Sequence, residues 1–461
     1  MMGPRQMAQA ALFYGFSLED HVPGDHLLRE IDRFVDLSDI RRDLLPFYSA
    51  IGRPSIDPEL MLRMLLVGYV MGIRSERRLC QEVHLNLAYR WFCRLDLTDP
   101  IPDHSTFSKN RHGRFRDSDL FRRLFEAVVT RCIAEGLVGG ERFAVDASII
   151  RADANKQSAT PIGEWPTEKL DPATAPRAVR EYLDTLDDAA FGAATETTPK
   201  FTAHADPASQ WTGALKGPAF FAYADNYLID TDHAIIVDVE ATRAVRQAET
   251  GAARTMVDRV MDRFGLWPER LIADTAYGTA DMLGWLVPER GIEPHIPVFD
   301  RSRRTDGTFS REDFRYDHRQ DAYVCPAGNT LKPRQKVYRD NRPLADDDGL
   351  IRYRASKLDC GSCALKQRCC PKEPQRKIPR SIHEGARQMA RDITAGEDYG
   401  VSARLRKKVE MLFAHLKRIL GLARLGLRGP CGARDEFHLA ATAQNLRKLA
   451  KLKPLGGPAP A

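Results

Sequence analysis

Two short runs decide how this chain reads: Phe143-Ala144-Val145-Asp146, just after Gly139-Gly140, and Leu271-Ile272-Ala273-Asp274. Each is apolar and ends in an acid, the pattern of a buried strand that delivers a carboxylate at its end. Between them, residues 220–229 and 234–240 flank Asp230-Thr231-Asp232-His233, which reads as a hairpin. A helix over about 245–264 leads into the second run; a helix over 280–286 and a strand near 294–298 follow it. One strand, a hairpin and then alternating helix and strand predict a mixed sheet in an α/β domain.

Outward from this centre the patterning changes. Residues 22–137 read as helices joined by short turns. Leu60, Met61, Met64, Leu65, Val67 and Val70 follow helical spacing over 58–72, and shorter or longer helices are expected near 76–83 and over 119–135. Ile101-Pro102-Asp103-His104-Ser105-Thr106-Phe107 supplies a break and N-caps before a basic stretch with Lys109, Arg111, Arg114 and Arg116. A capped turn before a basic helix suits a helix-turn-helix-like DNA reader; a plain helical bundle fits the same periodicity. Residues 156–218, rich in Pro, Thr and Ala, read as a loop insertion with one helix near 175–186. Residues 299–395 are polar, Arg-rich and Cys-bearing and read as a separate insert, after which helices over 400–420 and 435–451 close the chain. The expected organisation is a helical N-terminal DNA-binding domain (1–137), an α/β domain (138–298 with 396–453), the Cys-bearing insertion (299–395) and a loose tail (454–461).

The length of 461 residues suits two to four units that each bury a core. With 43% hydrophobic and 29% charged residues, wholesale disorder and a membrane bundle are excluded. Apolar runs such as 64–73 fall short of the roughly 18 residues a membrane span needs, and no stretch resembles a signal peptide. The net charge of +6 is mild but uneven: from Val401 onward 13 Lys/Arg face 3 Asp/Glu, whereas 151–250 hold 9 against 16. That end carries the electrostatic footprint of a phosphate-backbone partner, or simply a solvated helical surface. The 9 cysteines, an odd count without an export signal, favour a reducing cytoplasm and a metal or packing role over disulfides.

A third acid joins the two strand-end aspartates. On a helical wheel Arg406, Glu410 and Lys417 lie together beside the apolar sector of Leu405, Val409, Leu412, Phe413, Leu416 and Leu420, while Arg404, Lys407, Lys408 and Arg418 point to the opposite side. Singly, Glu410 reads as half of an i,i+4 pair with Arg406, and either Asp as a turn or cap. As a set, three carboxylates from two strands and a packed helix can converge on hard divalent cations.

Val145-Asp146-Ala147-Ser148 with Arg151-Ala152-Asp153-Ala154-Asn155, Ala273-Asp274-Thr275-Ala276-Tyr277-Gly278, and Arg406-Lys407-Lys408-Val409-Glu410 with Phe413 and Lys417 resemble the three signature blocks of DDE-type insertion-sequence transposases. Gly52-Arg53-Pro54-Ser55-Ile56-Asp57-Pro58 and Asp103-His104-Ser105-Thr106-Phe107-Ser108 resemble the N-terminal domain that accompanies this catalytic domain in many bacterial members. The resemblance implies a ribonuclease-H-like fold in which Asp146, Asp274 and Glu410 bind two Mg²⁺ (or Mn²⁺) ions. It also implies cleavage at the terminal inverted repeats of a transposon, joining of the freed 3′ ends to target double-stranded DNA, a homodimer on DNA and a nucleoid location. Arg406 and Lys417 would hold a phosphate, and Tyr277 would stack on a base or simply pack. One position departs from the pattern: where the family often has Tyr three residues before the Arg, this chain has Ala403, with Tyr399 a turn further back.

Cys325, Cys360, Cys363 and Cys369 have a spacing compatible with a structural zinc, Cys370 being able to replace Cys369; a similar Cys-bearing insert occurs in one branch of these transposases. Reduced thiols in a loosely packed insert are the plainer reading. Cys80, Cys93, Cys132 and Cys431 read as packing, and His104, His295 and His415 as core or surface residues. Nucleotide-binding, serine-hydrolase and zinc-protease motifs do not occur. The rivals to a transposase are a metal-dependent nuclease of the same fold and a catalytically inactive zinc-containing DNA-binding protein.

Overall fold

The computed structural model describes residues 15–49, 51, 55–111, 113–161, 164, 171, 173–184, 200–213, 217–300, 302–334 and 343–454. In chain order the principal helices are α1 (Pro58–Val70), α2 (Glu76–Leu85), α3 (His104–Arg111), α4 (Leu120–Ala134), α5 (Arg177–Asp184), α6 (Arg246–Phe264), α7 (Ala280–Gly284), α8 (Glu384–Ala395), α9 (Tyr399–Arg418) and α10 (Pro430–Leu452). The principal strands are β1 (Arg142–Arg151), β2 (Gln210–Thr212), β3 (Phe220–Asp230), β4 (Ile235–Arg243), β5 (Arg270–Ile272) and β6 (Glu293–His295). The chain separates into two compact units, one of Met1–Gly140, Asp146–Leu266 and Lys408–Ala461, the other of Glu141–Val145 and Trp267–Lys407. Among the described residues no helix is long and apolar enough to cross a membrane.

Local chemistry sets the element ends. Asp57 caps α1 by accepting the Glu59 N–H at 3.1 Å, with Pro58, which has no N–H to satisfy, at the first helical position. Ser75 caps α2, and α6 stops at Gly265, whose φ of +64° is costly for a side-chain-bearing residue. The β3–β4 turn is held by Asp230, whose Oδ2 accepts the N–H groups of Gly139 and Gly140 at 2.9 Å each. A Cβ on Gly139 would lie 2.2 Å from Asp232 Oδ2, so a side chain there would require the Asp232 carboxylate to move.

In the first unit β3 is buried along all but its first residue and pairs antiparallel with β4, Tyr227 opposite Val239; β2 pairs with β3 at Phe220–Ala222. The Ala152 N–H, just past β1, donates to Phe221 O at 2.9 Å. Helix α10 packs on β4, α4 and α1. Its Asn445 amide accepts from Ile236 N–H at 3.0 Å and donates to Ile236 O at 2.8 Å, completing the β4 edge as a neighbouring strand would. Arg122 of α4 meets Asp238 at 2.6 Å, and Arg259 of α6 meets the same carboxylate at 2.7 Å, so a fully buried acid is held by two guanidinium groups.

In the second unit the start of β1 runs parallel to β5, with Arg142, Phe143 and Ala144 opposite Arg270, Leu271 and Ile272, and β5 runs parallel to β6. Within this unit the neighbours run in the order β1-β5-β6. Helix α8 packs on α7 and β6. The Cys-bearing segment folds as short antiparallel strands, Arg315–Asp317, Ala322–Val324 and Thr330–Leu331, beside a second pair, Leu350–Arg354 with Lys377–Ser381. Phe314, Tyr323, Leu331, Tyr353, Ile378, Cys369 and Cys370 form a small core there.

Two sequence expectations change, the end of β1 and the 156–218 loop. Strand β1 continues to Arg151, so Asp146 stands in mid-strand and not at its end; Ile150 is buried again beyond it, and burial rewards further strand pairing. The 156–218 segment is more than a loop: Ala159–Pro161 pairs antiparallel with Phe201–Ala203, and β2 joins the sheet. The N-terminal helices share a unit with β3 and β4, because α10, from the far end of the chain, buries against both groups. The Cys-bearing segment shares a unit with β5 and β6, because α8 covers β6. Residues 52–54 of the expected N-terminal motif, and the tail from 455 onward, lie outside the described residues.

Candidate active site

Asp146 is half-buried in β1, its Oδ1 accepting its neighbour's Ala147 N–H at 2.8 Å. Asp274 lies just past β5 and caps the short 3₁₀ turn Thr275–Tyr277, its Oδ1 accepting Ala276 N–H at 2.7 Å. Asp146 follows Ala144 by two residues, and Asp274 follows Ile272, the partner of Ala144 in the parallel ladder, by the same step. Glu410 is exposed on α9, which carries Arg406, Glu410 and Lys417 along one uninterrupted helix.

Lys417 binds α9 to β1. Its Nζ donates to Ser148 Oγ at 2.7 Å, and Ser148 lies on the same face of β1 as Asp146, two residues away. Phe413, one turn before Lys417, stacks on Tyr227 of β3 with centroids 4.6 Å apart. The wheel's apolar sector is buried at Val409, Leu412, Phe413, Leu416 and Leu420, as its periodicity predicts. Lys408 departs from the expected solvent-facing side: its Nζ donates to the Thr231 and Asp232 carbonyls, because the β3–β4 turn presents unsatisfied oxygens to it.

Sequence reading missed Asp225. It sits fully buried in β3, and neither carboxylate oxygen has a hydrogen-bond partner among the described residues; the nearby Tyr227 hydroxyl donates instead to Gln444 Oε1 at 3.0 Å. Burial pushes the Asp225 carboxyl well above the ordinary range, opposed first by the nearby Tyr227 hydroxyl and then by the Lys417 charge. The same burial lowers Lys417, with Asp225 opposing. The available signal was an acid in the middle of an otherwise apolar run, Phe220-Phe221-Ala222-Tyr223-Ala224-Asp225.

Tyr277, expected either to stack on a base or to pack, is 1% exposed. Next to it, a Cβ on Gly278 would lie 2.0 Å from Pro297 O and 2.8 Å from Phe299 N, so glycine is required for the turn after Asp274 to close on that segment. Asp153 accepts from Arg424 at 2.7 Å and Arg428 at 2.8 Å, pinning the loop between α9 and α10 beside the end of β1.

The basic stretch around α3 is largely engaged internally. Arg111 is buried against Glu76 at 3.0 Å and the Tyr69 hydroxyl at 3.2 Å; Arg116 pairs with Glu181, and Arg114 lies over the Tyr48 ring at 4.2 Å, leaving Lys109 exposed. In the positive C-terminal region Arg404, Lys407, Arg418 and Lys451 are exposed, while Arg447 donates to Val70 O at 2.9 Å and Lys448 to His233 O at 2.9 Å. The helices at both ends of the chain need these cations to satisfy buried acids and carbonyls.

The carboxylates have the right donor chemistry for hard divalent ions. Cys325, Cys360, Cys363, Cys369 and Cys370 line one small cavity, where soft thiolates suit zinc; burial raises the Cys369 thiol to about 12 and also raises Cys370. Among the described residues, however, no three His, Cys, Asp or Glu side chains are gathered as a metal-holding group. His295 is buried, its Nδ1 2.8 Å from Ser402 Oγ, and His415 lies 3.1 Å from the Gln444 amide, both as packed residues.

Two families match the chain. Residues 16–113 match a transposase domain (DUF772), and residues 324–450 match a transposase DDE domain. Together these matches support an insertion-sequence DDE transposase, a class of enzyme that moves DNA and binds it at transposon ends. The DDE match contains Glu410, Arg406, Lys417 and the five clustered cysteines, and begins after Asp146 and Asp274. No curated protein and no solved structure matches the chain.

Proposed function

We propose that this transposase cuts the phosphodiester backbone at its transposon ends and joins the freed 3′ ends to target DNA, with Asp146, Asp274 and Glu410 as its catalytic carboxylates on a ribonuclease-H-like sheet. The observation that carries the reading is the Lys417–Ser148 contact, which ties the helix bearing Glu410 to the strand bearing Asp146. The equal two-residue step of Asp146 and Asp274 beyond a paired ladder supports including the second aspartate. The strand, hairpin and strand–helix alternation support the fold.

In the reaction a water or a 3′-hydroxyl oxygen attacks phosphorus in line, the opposite P–O bond breaks, and the departing oxygen leaves as the 3′-hydroxyl once protonated. Two divalent ions, held by the three carboxylates, supply Lewis acidity to the attacking and leaving oxygens when bound. Lys417, oriented by Ser148 and facing buried Asp225, and Arg406 on the same helix hold the phosphate by charge. Cys325, Cys360, Cys363 and Cys369 are the residues that would hold a structural zinc, and two copies of the chain act on the two ends of the element.

The test is cleavage and joining of labelled DNA bearing the element's own ends, with Mg²⁺. Asp146→Asn, Asp274→Asn and Glu410→Gln should each lower both steps by roughly 10³-fold or more while DNA binding persists. Cutting without joining turns the reading toward a nuclease. DNA bound but intact in every variant and metal sinks it.

A further inference from the structure

A cleft of about 610 Å³ in the second unit is lined by Arg304, Arg311, Arg376, Lys377 and Arg387 against a single lining carboxylate, Asp300. Arg376 is the deepest of them, 6% exposed, on the strand Lys377–Ser381's approach. Its Nη1 donates to Cys369 O at 3.0 Å and its Nη2 to Phe309 O at 2.8 Å, and it lies over the Phe314 ring at 5.1 Å. These partners are neutral, and its Nε has none among the described residues. A buried guanidinium without a carboxylate is costly, because neutral carbonyls return only part of the hydration it gives up.

Arg387 repeats the pattern. It reaches Asp300 at 3.3 Å and Glu384 at 3.6 Å, both long contacts, and its Nε too is buried without a partner. Glu384 is already shared with Arg311 and Arg391, so one acid faces three guanidinium groups. Burial depresses both Arg376 and Arg387; Arg304 adds to the first while Cys369, Cys370 and Asp306 oppose, and for the second Glu384 and Asp300 oppose while Arg391 and Arg311 add. Arg304 and Lys377 stand exposed at the rim. Cations that are under-compensated in depth and continued at the rim complement an anion that presents several oxygens, for which planar guanidinium forks are suited.

We propose that this cleft is a phosphate-binding site that grips the backbone of duplex DNA. The choice of DNA as the source of the phosphates rests on the transposase reading; the phosphate chemistry does not.

The experiment uses the full chain and two readouts. Binding to a labelled duplex is titrated across a salt series for the wild type, for Arg304→Gln with Lys377→Gln at the exposed rim, and for Arg376→Gln. Each lost phosphate contact should flatten the slope of log K against log salt by about 0.9, so the rim pair should lose about 1 to 2. In parallel, thermal unfolding is followed with inorganic phosphate against chloride at matched ionic strength, where phosphate should protect the wild type and not Arg376→Gln. An unchanged slope in a folded rim variant, together with equal protection of wild type and Arg376→Gln, overturns the proposal. Protection by phosphate in a protein that binds no DNA keeps the phosphate site and sinks the transposase reading instead.

Discussion

The cations of the first unit and those of the second unit's cleft look alike in sequence and differ in what they face. Arg122 and Arg259 share fully buried Asp238, and Arg111 and Arg116 have Glu76 and Glu181. In the cleft, among the described residues, Arg376 has carbonyls and a ring, and Arg387 has long contacts to Asp300 and to Glu384, which Arg311 and Arg391 share. A paired guanidinium is part of the core and has little charge left to offer DNA; an under-paired one creates a local field that a phosphate can answer. A count of Lys and Arg along a chain therefore overstates the DNA-facing charge wherever helices pack against acidic partners.

The largest expected effect is at Arg122. Arg122→Ala should destabilise the first unit by about 3 to 5 kcal/mol, because Asp238 loses one of its two cations inside the protein, and urea denaturation reads this directly. A loss under about 1 kcal/mol would mean Arg259 alone suffices and the core reading is too strong.

Buried acids of the same unit sharpen it through pH. Burial raises Asp206 to about 7, despite the Tyr223 hydroxyl it accepts, and raises Asp435 to about 7, despite Arg111 and its neighbours. A carboxyl whose folded pKa is raised contributes stability that is present below its unfolded pKa and is lost as pH rises toward the folded value. Asp206→Asn should therefore gain on the wild type by up to about 1.4 kcal/mol per pH unit between about pH 4 and pH 7. A stability difference that does not change with pH across that window refutes the assignment.

The smallest effect belongs to the exposed pairs. Arg428→Gln removes a half-exposed partner of Asp153 and should cost no more than about 1 kcal/mol, with Arg424 still in place. Arg111→Gln should leave the salt slope of DNA binding unchanged, unlike the rim pair of the cleft; a slope flattened by about 1 would show that the α3 cations do reach DNA.

Much of the frame was legible in the residues. Period-two and apolar runs placed β3, β4 and β5, caps and helical spacing placed α1, α2, α4 and α6, and the wheel of α9 correctly separated its buried stripe. Three features escaped. The length of β1 depended on β3 lying beside it, the strands within 156–218 are three residues each and carry no period, and Asp225 is announced only by an acid in an apolar run. Each depends on partners distant in sequence.

The sequence alone settled the longer helices and the central strands, singled out Asp146, Asp274 and Glu410, and showed a resemblance to DDE transposases, because periodicity, capping and short motifs are local. Only the tertiary structure decided that Lys417 rests on Ser148, that Arg111 and Arg122 belong to the core, and that Arg376 and Arg387 remain short of counter-charge. The physical reason is that charge compensation and desolvation are properties of a place, set by whichever side chains folding gathers there, and composition cannot specify them.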